Sequence, residues 1–159
     1  MIRQRITPFL WFDHQAEEAA RFYTSIFKDS SIKAVARYGE AGPGPKGTAM
    51  TVDFELEGQE FVALNGGPHF RFTEAISLVV NCATQPEVDY FWERLLEGGI
   101  PQQCGWLKDR YGLSWQVVPT VLAELTSGPD TARSGRVMRA MMTMVKLDIA
   151  ELRRAAEQG

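Results

Sequence analysis

The stretch Thr48–Phe70, TAMTVDFELEGQEFVALNGGPHF, decides the fold. Met50, Val52, Phe54 and Leu56 alternate with Thr51, Asp53 and Glu55, the period of two that marks a strand with unlike faces. Glu57-Gly58 supplies a reversal, because glycine takes positive φ without steric cost. Gln59 to Leu64 returns as a second strand, and Asn65-Gly66-Gly67-Pro68 stops it. A sheet carrying Asp53 and Glu55 on one face must solvate them, pair them or turn them into a cavity. Which of these holds decides the function.

Before the hairpin, Ile6 to Phe12 reads as a short strand, with Pro8 marking an edge or a bulge. Ala16 to Phe27 reads as a helix, its apolar residues Ala16, Ala19, Ala20, Tyr23, Ile26 and Phe27 recurring at helical spacing, with Asp13 as the expected N-cap. Ile32 to Tyr38 is the next strand. The loop GEAGPGPKG, residues 39–47, lacks the Lys-Ser/Thr ending of a phosphate loop, and its prolines remove N–H donors. A mobile flap is expected there.

After the hairpin, Glu74 to Asn81 reads as a strand, and Thr84-Gln85-Pro86-Glu87 has capping-box spacing at the start of a helix that runs to Glu97. Two short strands follow, Gln102–Leu107 and Leu113–Val118. The tail is helical over Pro119–Thr126 and Asp130–Val145, and Asp148 with Glu151 opens a last helix ending near Ala156. Val137, Met138, Met141, Met142 and Val145 share one stripe, expected to be core or, failing that, a partner surface.

Composition narrows the classes. A chain of 159 residues, 45% apolar and 23% charged, fits one globular domain or two fused half-domains. A net charge of −3 gives no electrostatic case for nucleic acid or an anionic membrane. No apolar run approaches the roughly 20 residues that span a bilayer. The N-terminal segment has no signal-peptide core, and Cys82 and Cys104 read as two reduced thiols. A cytoplasmic protein is expected.

The order strand, helix, strand, strand, strand occurs twice, with Phe22-Tyr23 matched by Phe91-Trp92 69 residues later. This order resembles the vicinal oxygen chelate superfamily, which includes glyoxalase I, ring-cleaving dioxygenases and bleomycin-resistance proteins. Within it the chain is similar to the branch labelled 3-demethylubiquinone-9 3-methyltransferase-like. The resemblance is carried by Ile6–Phe12 (ITPFLWF), Ala16–Ala19 (AEEA) with Phe22-Tyr23, Leu64–Gly67 (LNGG), Cys104–Asp109 (CGWLKD) and Ser114–Pro119 (SWQVVP). It implies an α+β fold of two βαβββ modules, residues 5–67 and 74–119, forming a cup-shaped mixed sheet within one glyoxalase-like domain, with a helical extension over 120–157. It also implies a homodimer.

The methyltransferase label implies a cofactor, yet no glycine-rich strand-to-helix turn with a following acidic residue is present. Metal-dependent relatives carry His, Gln or Glu ligands on four strands. Ungapped alignment puts these positions at Pro8, between Ala63 and Asn65, at Ala75 and at Gln116, and the chain has only His14 and His69. Neither a metal nor another cofactor is expected. Trp11, Asn65, Trp106, Trp115 and Gln116 remain as candidate contacts for a small aromatic or apolar ligand, with core packing as the plainer role of the tryptophans. Asp53 and His69 are the candidate acid–base groups of an enzyme alternative, an isomerase, lyase or similar, with ordinary strand and surface roles as the competing readings.

Overall fold

The computed structural model describes residues 4–158 and divides into two compact units at Phe72/Thr73. In the first unit β1 (Phe9–Phe12), α1 (Ala16–Ile26), β2 (Ser31–Arg37), β3 (Ala49–Leu56) and β4 (Gln59–Asn65) form one βαβββ module. Its sheet has the order β1-β4-β3-β2, with β1 parallel to β4 and the other pairs antiparallel. In the second unit β5 (Ser77–Cys82), α2 (Gln85–Leu96), β6 (Ile100–Pro101), β7 (Trp106–Lys108) and β8 (Ser114–Pro119) repeat the plan, with order β5-β8-β7-β6. Three helices, α3 (Val121–Thr126), α4 (Thr131–Met142) and α5 (Ile149–Glu157), follow.

The helices α1 and α2 each cover one face of their own sheet. Ala19, Tyr23 and Ile26 of α1 are buried with Val52, Phe54 and Phe61, and Tyr23 and Phe61 both stack on Phe54. Val88, Trp92 and Leu95 of α2 stand 69 residues later and are buried in the same way, with Val80, Leu107 and Val117. The repeat is therefore a repeat of core positions.

The two helices are capped differently. Thr84 Oγ1 accepts from Glu87 N–H at 3.3 Å while Glu87 Oε2 accepts from Ala83 N–H at 2.7 Å, a variant of the predicted capping box in which the glutamate reaches one residue beyond the N-cap. In α1 the N-cap is Gln15, with no side-chain cap of its own, and Asp13 lies exposed beside His14. Asn65 Oδ1 instead accepts from Ala16 N–H at 2.8 Å, reaching across 49 residues.

Several expectations change. The first strand starts at Phe9 because Pro8 has no N–H to give, and its carbonyl accepts from Val62. The strand expected at Glu74 starts at Ser77. The strand expected over Gln102–Leu107 is broken by a turn in which Cys104 takes φ 60°. The 39–47 loop is no free flap: it is folded around the buried Tyr38 ring, where a Cβ on Gly44 would lie 2.4 Å from the ring. The helix expected over Asp130–Val145 ends at Met142, and of the expected stripe Val137 is buried while Met138, Met142 and Val145 are exposed, Met142 by 64%. Among the described residues no helix is long and apolar enough to cross a membrane.

Candidate functional site

Cross-strand register assigns side chains to faces, because directly opposed residues point the same way. On the face of the first sheet turned away from α1, one row is Phe9, Val62, Asp53 and Ala34, and the next is Trp11, Leu64, Thr51 and Ala36. Phe9 is 57% exposed, Val62 between Phe9 and Asp53 is buried and forms the floor of the row, and Trp11, Thr51, Asp53 and Leu64 are half-buried. This open face combines aromatic and aliphatic side chains with a hydroxyl and a carboxylate, beside two alanines that leave room above β2.

Trp11 is fixed in place. Its Nε1–H donates to Gly67 O at 2.9 Å, and the Phe70 ring meets it edge-on at 4.8 Å. A Cβ on Gly66 would lie 2.3 Å from the indole, and Gly67 takes φ 92°, so the glycine pair is what lets the strand end fold against Trp11. His69 is exposed beside this turn, its ring near Gly67.

Asn65 lies on the other face, in register with Phe12. Besides capping α1, its Nδ2 donates to Ala49 O at 3.0 Å, and its backbone carbonyl accepts from Tyr38 Oη–H at 2.6 Å. Its amide is spent on the backbone, a structural role that replaces the expected ligand contact.

The carboxylates of the open face differ in their partners. Glu55 pairs with Lys33 at 3.2 Å, and Glu60 accepts from Gln4 N–H at 3.2 Å. The Asp53 side chain has no hydrogen-bond or ion-pair partner among the described residues.

In the second sheet, Trp106, Lys108, Ser114, Gln116 and Ser77 share the face turned away from the core side chains. Gln116 Nε2 donates to Ser77 Oγ at 2.9 Å. Lys108 pairs with Glu74 at 2.5 Å, and its hydrogen bond holds the Glu74 carboxyl below the usual carboxylate range. Ser114 Oγ is buried with no hydrogen-bond partner among the described residues. Trp115 is on the opposite, core face, only 2% exposed, where its Nε1–H donates to Asp109 Oδ2 at 2.9 Å. It is a core residue, and the wall of a ligand pocket expected of it is not available on that face.

Asp109 was not singled out by its sequence context as a site, and it organises this region. Itself buried, it also accepts from Tyr111 N–H at 2.8 Å and Leu113 N–H at 3.1 Å through Oδ1, so it fixes the β7–β8 turn and the Trp115 indole together. Only the short Asp-to-Gly spacing before Leu113 hints at such a turn. Cys82 is buried, and burial first, the Glu87 charge second, pushes its thiol up to about 11, which keeps it neutral.

The donor set does not suit a metal. Pro8 and Ala75 offer no side-chain donor, the Asn65 amide is committed, and Gln116 is a neutral amide bonded to Ser77. Among the described residues no three His, Cys, Asp or Glu side chains cluster to hold an ion. The β1–α1 turn, Asp13-His14-Gln15, has no glycine, and the first N–H of α1 is already taken by Asn65, so this helix end offers no cradle for a nucleotide-type cofactor.

Comparison with known proteins places the chain. The family model described as 3-demethylubiquinone-9 3-methyltransferase matches residues 4–118. The PhnB protein from Bacillus cereus is 41% identical, covering 74% of this chain and 100% of its own, with a TM-score of 0.68. A Pseudomonas aeruginosa protein shares the fold at 22% identity and TM-score 0.61, covering 74% of this chain and 98% of its own. A fosfomycin resistance protein from Listeria monocytogenes, solved with Mn(II) and sulfate, shares it at 16% identity and TM-score 0.53, covering 78% and 95%. No curated protein matches the sequence.

Proposed function

The chain belongs to the 3-demethylubiquinone-9 3-methyltransferase family, and from that premise we propose that it binds a small aromatic or apolar molecule, without a metal, on the open face of its first sheet. The observation that carries this reading is the Trp11 assembly. An indole locked by Gly67 O, flanked by Phe70 and lying in the same row as Leu64, is a preorganised stacking surface. Rigid aromatic walls contribute contact area at small entropic cost, so such a surface suits a flat or apolar ligand. The family description names a methyl transfer, but the helix N-terminus nearest this face is closed by Asn65, which argues against that cofactor chemistry here.

Pairing of two chains belongs to the same reading, with the exposed Met138 and Met142 as candidate contacts. A cytoplasmic setting is also part of it.

The test is a titration of the ¹⁵N-labelled chain with 4-phenylbutan-1-ol, a neutral aromatic probe. The Trp11 indole N–H and the amides of Val62 and Leu64 are expected to shift together. Shifts confined to Trp106 and Gln116 would overturn the assignment of this face.

A further inference from the structure

The ligand of this face carries a positive charge: we infer that an organic ammonium docks its head on Asp53 and lays its apolar body across Val62 and Leu64 against Phe9 and Trp11. The inference rests on the ligand-binding reading above and adds the chemical class.

Asp53 is the starting point. Its neighbours in the row are Val62 and Ala34, neither of which can donate a hydrogen bond to a carboxylate from its side chain. No other described side chain pairs with it, although it is half-buried on β3. A carboxylate held among apolar side chains and left without a partner is open to direct pairing with a cation that reaches it.

The surroundings favour a cation over any other partner. Glu55 and Glu60 are carried on the same face, and Lys33, the basic residue nearest them on β2, is already paired with Glu55. An anion would meet this negative field, and a neutral molecule would leave Asp53 unpaired. Among the described residues no lysine or arginine pairs with Asp53, and Arg37 is directed to Glu17 and Lys46 to Glu40.

The geometry sets the size. Phe9 on β1 and Asp53 on β3 lie two strand spacings apart, about 9.5 Å, with Val62 between them. A ligand whose aromatic ring and ammonium are separated by a chain of three or four methylenes spans that distance. Aromatic side chains at the far end can also attract the cation of a shorter ligand through their π faces.

The experiment compares 4-phenylbutylamine, cationic at pH 7, with 4-phenylbutan-1-ol, the same body with a neutral head. Calorimetry and amide shifts give both affinities for the full chain. The amine is expected to bind at least about tenfold more tightly than the alcohol, as charge-assisted bonds to a part-buried carboxylate do. In Asp53→Asn, and in Asp53→Ser as an independent check, the amine is expected to fall to the level at which the unaltered chain takes the alcohol. Equal affinities in the unaltered chain, or an amine preference that survives both substitutions, would overturn the charge assignment while leaving the apolar face in place. Failure of both probes to shift Trp11, Val62 and Leu64 would remove the ligand-binding reading and this inference with it.

Discussion

The two βαβββ modules share element order and core positions, yet their open faces are finished differently. In the second, Gln116 is bonded to Ser77 and Lys108 to Glu74, so most of the polar face is satisfied internally. In the first, Trp11 is immobilised, Asp53 has no partner among the described residues, and the alanines of β2 leave space. The lengths differ too: β2 has seven residues and β3 eight, whereas their counterparts β6 and β7 have two and three. A duplicated plan thus yields one module whose short strands are braced by Asp109 and one whose long strands present a surface. The difference lies in side-chain partners, which a repeat of apolar positions does not dictate.

Substitutions can break this contrast at graded points. The largest effect is expected at Trp115→Ala, which empties a fully packed core site and removes the indole hydrogen bond to the buried Asp109, at about 3–5 kcal/mol by chemical denaturation. A near-neutral result would mean that the second module does not depend on the Asp109 brace. Asn65→Ala removes the cap of α1 and the partner of Ala49 O, and is expected to lower stability by about 2 kcal/mol. Thr84→Ala removes only one half of a local capping box, and about 1 kcal/mol is expected. If Thr84→Ala cost more than Asn65→Ala, the contrast between a distant and a local cap would fail.

The smallest effect concerns charge. The Lys108 hydrogen bond lowers the Glu74 carboxyl, so its contribution is present above the unfolded carboxyl's range and is lost as pH falls through the folded value. In Lys108→Gln the Glu74 carboxyl is expected to titrate back toward the ordinary range by NMR. Stability itself is expected to change little, because Glu74 is exposed.

The parts of the fold that depend on local pattern were legible in the sequence. The 50–56 alternation became β3, the helical spacing of Ala19, Tyr23 and Ile26 became the core face of α1, and the Thr84–Glu87 box formed as spaced. What was not legible depends on partners far along the chain. Asn65 looks like a free amide until Ala16, 49 residues earlier, is placed beside it. Trp115 reads first as core and second as a pocket wall, and only register, which puts it opposite Leu107, decides for the core. The Gly-rich loop suggests mobility by composition, while Gly42 and Gly44 are in fact the space that the Tyr38 ring occupies. The candidate site was legible as residue types, but the isolation of Asp53 was not, because it is a property of its neighbours across two strands.

The central claim is that the first module's open face, and not the second's, takes the ligand. The most direct measurement is a set of intermolecular NOEs between the ring protons of bound 4-phenylbutan-1-ol and the methyl groups of the chain. Contacts to Val62 and Leu64 are the predicted result. Contacts to Val79 and Val118 of the second sheet, with none to Val62 or Leu64, would contradict the claim.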